Sequence, residues 1–359
     1  MAAQRRATQR DVARLAGVSQ ATVSYALASL DGEGVGPPIA PETLQRVLAA
    51  AEQLGYRPDI AAQRMRGRNS RIMGVHTYGD LFPISADNYN HEYLLGVQLA
   101  AEEAGYDLLM FTSTTHGRSL PTAFLGTQNR LAAADGAVII GFREDHGELA
   151  KLMEQGYPFV RIGRRDIAEH PTLAWVDAGF TEATAELLAG LAAAGFEDML
   201  YVGSRRNDFE PWLDRRAGVA LAADRGNVSE VPIQLAEREE LSASWLAEQF
   251  VAGRRTFVAE HHQVALRIAQ AATDLGVHLG NDLAIAVLQA PMSDPAERAY
   301  AGYLLEPRLE MGRVAGEVLV DVLDGVEPAE RGIVVPASSY VARRRRHSQR
   351  RHDGGSAQR

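Results

Sequence analysis

Residues 8–27 read TQRDVARLAGVSQATVSYAL, and this stretch decides the architecture of the amino-terminal region. Thr8 can cap a helix, with Asp11 three residues on at the reciprocal capping spacing. Val12 and Leu15 fall on one helical face. Gly17 sits where a left-handed turn residue would end that helix. Ser19 is a good cap for a second helix, and Val23 with Leu27 gives it an apolar stripe. A third helix is expected after a loop. Pro41 opens it, Leu44, Val47, Leu48 and Leu54 form its buried side, and Gly55 stops it. Such a trio fits a helix-turn-helix DNA-binding unit, and it also fits a plain helical bundle.

The particular residues separate the two readings. Asp11-Val12-Ala13, Ala16-Gly17-Val18-Ser19 and Thr22-Val23-Ser24 resemble the head of the lactose/galactose repressor (LacI/GalR) family of transcriptional regulators. Thr43, Arg46-Val47 and Leu54-Gly55-Tyr56-x-Pro58 continue the likeness in order. The resemblance implies that the second helix enters the DNA major groove, with Gln20, Ala21 and Tyr25 facing base edges. A Gln can pair with adenine through two hydrogen bonds, whereas an Ala offers only an apolar contact such as with a thymine methyl. Ser19, Thr22 and Ser24 are placed for phosphates or capping, which position the helix without specifying sequence. Tyr25 stands where the family usually has Arg, so a different operator is expected. The loop at 29–38, SLDGEGVGPP, is about six residues longer than is typical of the family.

Residues 58–71, PDIAAQRMRGRNSR, match the family's hinge. The resemblance implies a linker that becomes a short helix in the minor groove of operator DNA, with Met65 as the apolar wedge between base pairs. Arg64 and Arg66 would meet phosphates, as would Arg68 and Arg71. Ala61 and Ala62 would let two hinge helices approach closely. Read without the resemblance, the segment is a solvated basic linker. Asp59 replaces a usual Asn and puts one phosphate contact in doubt.

From residue 72 short apolar runs alternate with amphipathic helices. Strands are expected near 72–78, 107–112, 136–141, 158–163, 173–176, 199–203, 229–233, 256–259 and 283–288. Helices are expected near 90–104, 120–133, 145–155, 180–194, 212–225, 239–251 and 262–275. This alternation implies parallel sheets with helices on both faces, in two α/β lobes. The family likeness continues loosely through Gly74-Val75, Gly96, Asp135-Gly136, Val176-Asp177, Arg215-x-x-Gly218 and Pro307-x-x-x-Met311-Gly312, covering about residues 8–342. It implies a two-lobed body like that of periplasmic sugar-binding proteins, with three crossings of the chain between lobes. The expected division is a DNA-binding head at 1–57, a hinge at 58–71, a body at 72–342 and a basic tail at 343–359. Lobe one is expected from about 72–168 and 292–324, lobe two from about 169–291 and 325–342.

Open α/β sheets bind ligands at the carboxyl ends of their strands, which places a small molecule between the lobes. The resemblance implies a sugar-like effector lined by Tyr89, Asn90, Arg164, Trp212, Arg215, His261, His262 and Gln289. Arg215 has donors suited to hydroxyls, carboxylate or phosphate. Trp212 could stack on a sugar or belong to the core. The family's Asn-Asp pair is His261-His262 here, one cleft Asp is Gln289, and the lobe-one Asp is Gly163. Losing three carboxylates weakens the case for a neutral sugar and favours an anionic or atypical ligand. A cleft that binds nothing and an ordinary sugar remain the alternatives.

The chain has 359 residues, a net charge of −9 and no cysteine, which excludes disulfides, Cys-ligated metal and a cysteine nucleophile. Its charge is uneven: +4 over 1–71, −19 over 72–342 and +6 over 343–359. A basic head, an acidic body and a low-complexity basic tail are thus separate regimes. The first 30 residues carry four Arg and no long apolar run, so no signal peptide or membrane span is expected and the cytoplasm is the expected compartment. His116, His146 and His170 read as surface residues. No metal, nucleophile-elbow or phosphate-loop pattern is present, so neither cofactor nor enzyme activity is expected. The expected protein is a homodimeric repressor that binds a palindromic operator and answers to a sugar, sugar acid or sugar phosphate. Its rival is a carbohydrate-binding protein whose DNA function is lost or independent of effector.

Overall fold

A computed structural model describes residues 7–30, 38–56, 70–78, 90–112, 122–125, 127–141, 146–164, 173–205, 209–289, 300–326 and 332–342. The chain divides into two compact units, residues 1–70 and 71–359. The expectations for the loop at 31–37, for the hinge residues Arg64, Met65 and Arg66, for Tyr89, for His116 and His170, and for the tail from 343 lie outside the described residues.

In the first unit, α1 (Gln9–Ala16) opens on a reciprocal capping box. Asp11 Oδ2 accepts from the Thr8 amide at 3.0 Å, and Thr8 Oγ1 accepts from the Asp11 amide at 3.4 Å. Gly17 closes the helix in the left-handed region at φ 66°. The chain then turns into α2 (Gln20–Leu30), where Ser19 Oγ accepts from the Thr22 amide at 3.0 Å. α3 (Pro41–Gln53) starts on its proline. Val12, Ala13, Ala16, Val23, Ala26, Val47, Ala50 and Ala51 make the core. Leu15 and Leu54 do not join it, at 46% and 38% exposed. The small alanines bring α1 and α3 close together, so Ala13, Ala16, Ala50 and Ala51 take the places expected of Leu15 and Leu54.

The second unit contains two six-stranded sheets. The first is wholly parallel: β1 (Ile72–Thr77), β2 (Asp107–Phe111), β5 (Gly136–Ile140), β6 (Phe159–Ile162), β7 (Ala174–Asp177) and β13 (Gly332–Val334), in the order β13-β7-β6-β5-β1-β2. The second comprises β8 (Met199–Gly203), β9 (Ile233–Leu235), β10 (Thr256–Ala259), β11 (Ala284–Val287), β12 (Gly302–Leu305) and β14 (Ser338–Val341), in the order β14-β12-β11-β10-β8-β9. Only β14 runs antiparallel to its neighbour. Central strands such as β5, β8, β10 and β11 are buried along their whole length, which suits sheets covered on both faces.

Two expectations need correction. The described part of the stretch 120–133, residues 122–125 and 127–133, is not the expected helix. It holds a short hairpin, β3 (Phe124–Leu125) with β4 (Gln128–Asn129), and a single 3-10 turn over Leu131–Ala133. Glu148 Oε2 accepts from the Ala123 amide at 3.0 Å and Asn129 Oδ1 from the Leu131 amide at 2.9 Å, so side chains take backbone donors that a helix would have used. The lobe boundaries also move. β7 pairs with the strand that precedes it, Val160 opposite Ala174, so it belongs to the first sheet rather than starting the second. β12 belongs to the second sheet, whereas β13 returns to the first. Among the described residues the chain passes between the sheets at 177–180, 305–308 and 334–338.

Lobe one is covered by α4 (His91–Glu103) and α10 (Arg308–Leu323), which meet at near backbone contact. A Cβ on Gly96 would lie 2.0 Å from the Leu309 carbonyl oxygen, and one on Gly312 would lie 2.2 Å from that of Tyr93. On the opposite face of the sheet, edge-on at 4.7 Å to Tyr78 of the cluster that holds Phe124, Leu131 and α5 (His146–Glu154), lies His76, 2% exposed. Burial, aided by the charge of Arg130, lowers the imidazole from 6.5 to about 4. The sign follows from linkage: below pH 6.5 the unfolded chain takes up a proton that the folded chain refuses until about pH 4. Stability should therefore be unaffected by this group above neutrality and fall by roughly 3 kcal/mol across that window. Urea unfolding at about pH 7 and about pH 4.5 checks it, because His76→Leu should flatten the difference by about that amount. An unchanged difference would remove His76 as its source.

Candidate functional site

On the head, Gln20, Ala21 and Tyr25 all lie on the exposed side of α2. Ser19 and Thr22 are tied together, hydroxyl to hydroxyl at 2.8 Å, so both stabilise the start of α2; Ser24 is partly buried. One contact was not foreseen: Arg10, on α1, donates from Nε to Gln20 Oε1 at 3.3 Å.

In the body, the carboxyl ends of the two sheets come together across the crossovers. Asp177, at the end of β7, is buried and accepts from the amides of Arg164 at 3.2 Å and Gly179 at 2.8 Å. The Arg164 side chain then reaches the other lobe. Its Nη2 donates to Asp214 Oδ1 at 2.6 Å, on α7 (Glu210–Asp224). Burial pushes the Asp214 carboxyl up, while Arg164 pulls it down. Arg164 was expected to serve a ligand; here its charge is engaged by a carboxylate fifty residues away. Arg161, fully buried within β6, donates to the carbonyls of Gly141 at 2.5 Å, Arg164 at 3.1 Å and Gly163, so one guanidinium organises the ends of β5 and β6.

The lobe-two wall rests on Glu260, which follows β10 and is fully buried. Its Oε1 accepts from Tyr201 Oη at 2.7 Å and from Arg216 Nε at 3.0 Å and Nη2 at 2.9 Å. Its Oε2 accepts from the Ser204 amide at 3.0 Å. Burial and the adjacent carboxylate push the Tyr201 hydroxyl well above its usual range, keeping it a donor. The next residues, His261 and His262, open α9 (His262–Leu275). The His262 amide donates to Gln289 Oε1 at 3.3 Å, so Gln289 caps this helix start from the end of β11. Burial lowers the His261 imidazole against the opposing pull of the Glu260 carboxylate, and the charge of Arg215 adds to the lowering, which keeps it neutral near pH 7.

Arg215 is set apart. It is 4% exposed and its guanidinium stacks 4.2 Å above the ring centre of Phe180, the first residue of α6 (Phe180–Ala193). Its Nε is buried with no hydrogen-bond partner, and among the described residues it forms no ion pair. Trp212, one turn earlier, is buried against Phe209 with ring centres 5.7 Å apart. Asn90 is buried in lobe one at the start of α4. The structure thus groups Arg215, His261, His262 and Gln289 on one lobe and sets Arg164 at its edge. Sequence reading missed Arg161, Asp214, Arg216 and Glu260. A charged residue inside the apolar run FVRI, and another directly after TFVA, were the available signals.

Among the described residues no group of three or more His, Cys, Asp or Glu could hold a metal, and no helix is long and apolar enough to cross a membrane. Comparison with known proteins accounts for both units. Residues 8–59 match the family described as bacterial regulatory proteins, lacI family, and residues 188–344 match the periplasmic binding protein-like domain. The head carries the lacI-family domain. The chain is 29% identical over 243 residues to the HTH-type transcriptional regulator PtxS of Pseudomonas plecoglossicida, an alignment spanning 65% of the chain and 66% of that protein. It superposes on the lac repressor dimer bound to operator and the anti-inducer ONPF with a TM-score of 0.67 at 18% identity, covering 95% of the chain and 99% of that structure. The complex of the regulator CelR with cellobiose gives a TM-score of 0.60 at 21% identity, covering 94% and 100%. At these identities the two structures establish the LacI-family fold.

Proposed function

We infer that this protein is a DNA-binding transcriptional repressor that binds a palindromic operator as a homodimer and is controlled by an anionic small molecule in the cleft between its lobes. The DNA-binding part rests on the head: a capped helix-turn-helix that presents Gln20, Ala21 and Tyr25, in a chain whose relatives are transcriptional regulators. A single small head makes few base contacts, so two heads on two half-sites are required for useful specificity. Hinge contacts from Arg64, Met65 and Arg66 belong to the same reading. No enzyme activity is assigned. The family consists of regulators, and the buried cleft acids Asp177 and Glu260 are both committed to structural partners.

One observation carries the ligand class. Arg215 is a buried guanidinium that forms no ion pair among the described residues, whereas Asp177, Asp214 and Glu260 are each already engaged. A desolvated unpaired cation is costly, and a carboxylate or phosphate from a ligand offsets that cost. The neutral His261, together with the His262 imidazole and Asn90, adds hydrogen-bonding groups for hydroxyls. A sugar acid or sugar phosphate meets both requirements; the neutral cellobiose of the CelR complex carries no charge for Arg215. Titration calorimetry against a panel of sugar acids, sugar phosphates and neutral sugars tests this. An anionic member should bind, and Arg215→Gln should weaken it by about 10- to 100-fold, the scale of a charge-assisted hydrogen bond. Tight binding of a neutral sugar that Arg215→Gln leaves unchanged would overturn the assignment.

A further inference from the structure

We propose that Arg10 sets the base preference of the recognition helix by holding the amide of Gln20, so that the two side chains together read guanine. The proposal rests on the head being the DNA-reading unit, and it alters what Gln20 reads. A glutamine acting alone presents one acceptor and one donor, the pattern that matches the N6 and N7 edge of adenine. Here its acceptor is turned toward Arg10. Arg10 Nε donates to Gln20 Oε1 at 3.3 Å, which turns the Gln20 Nε2 donor outward. The Nη groups of Arg10 carry only donors, and among the described residues Arg10 forms no ion pair.

The neighbouring carboxylate does not compete for Arg10. Asp11 is held by the Thr8 amide and hydroxyl, at 3.0 and 2.6 Å, and stands 3.5 Å from Arg14. The Gly17 turn brings the second residue of α1 beside the first residue of α2, ten positions on. The groups they turn outward are therefore donors. In the major groove guanine presents two acceptors, N7 and O6, whereas adenine presents one acceptor and one donor. Ala21, next in line, adds no polar group that could restore an acceptor. Arg10 and Gln20 are both exposed, so substituting either leaves the core of the head intact.

The test is selection of binding sites by the full chain from a randomised double-stranded DNA library, with base preference read position by position. The parent should select guanine at one position in each half-site. Gln20→Ala should lose preference at that position. Arg10→Ala should shift the same position toward adenine by about 10-fold and leave the other positions unchanged. Arg10→Lys should keep overall affinity, because it keeps the charge, yet lose the guanine preference, because it lacks the guanidinium fork. If Arg10→Ala weakens all sequences equally with unchanged preferences, Arg10 is a phosphate contact and the proposal fails alone. A parent that selects adenine at the Gln20 position also overturns it. If the parent enriches no sequence, the DNA-reading assignment fails and takes this proposal with it.

Discussion

Glu260→Ala should destabilise the two-lobed body by about 3–5 kcal/mol, the usual cost of removing one partner from a buried ion pair. The carboxylate is fully buried, and three other groups depend on it. Alanine leaves Arg216, whose side chain is 15% exposed, with the Ser204 carbonyl at 3.2 Å as its remaining acceptor among the described residues. It also leaves the Tyr201 hydroxyl and the Ser204 amide without their acceptor. Glu260→Gln restores some hydrogen bonds but not the charge, so it should fall between parent and alanine. Urea unfolding of the three proteins checks the order; a loss under about 1 kcal/mol for alanine would show that the ion pair is weakly coupled to the fold.

Gly312→Ala should be nearly as damaging, at about 3 kcal/mol or more, although it adds one methyl group. The added carbon would lie 2.2 Å from the Tyr93 carbonyl oxygen and 3.0 Å from two further backbone atoms of that residue. Overpacking is tolerable where a flexible side chain can move aside; here the obstacle is the backbone of α4. The helices must separate, which also loosens the packing of Met311, Ala315 and Leu319 against lobe one. Differential scanning calorimetry on Gly312→Ala and Gly96→Ala should show both bodies melting well below the parent. Gly105→Ala, where no heavy atom lies within 4 Å but φ is +72°, should show only the smaller cost of backbone strain.

Local chemistry made much of the fold readable. The Thr8–Asp11 box, the Gly17 turn, the strands at 199–203 and 256–259 and the helix at 262–275 all follow from capping groups and apolar runs within a few residues of one another. The allotment of β7, β12 and β13 to sheets was not readable, because a buried strand is apolar on both faces whichever sheet it joins. The hairpin at 124–129 escaped for a related reason: Glu148, some twenty-five residues on, supplies the group that stops a helix from forming there. In the cleft, residue type alone identified Arg215 and the two histidines as unusual. It could not separate Arg164 from Arg215, since what distinguishes them is Asp214, whose partner is remote in sequence. Residue type also does not reveal that the Gln289 carbonyl accepts from the start of α9.

The threading of the chain between its sheets also has a consequence during synthesis. Six of the twelve sheet strands, β1 to β8 without the hairpin, precede residue 204, yet each sheet receives its last strand only after residue 331. The α10 helix that roofs lobe one arrives about 150 residues after β7 has left the ribosome. At about 5–20 residues per second, the apolar face of the first sheet stays uncovered for roughly 7–30 s. A nascent chain of this protein therefore passes through a long interval in which its amino-terminal head can already fold while neither lobe can close. That interval is when the unfinished sheet most needs a chaperone.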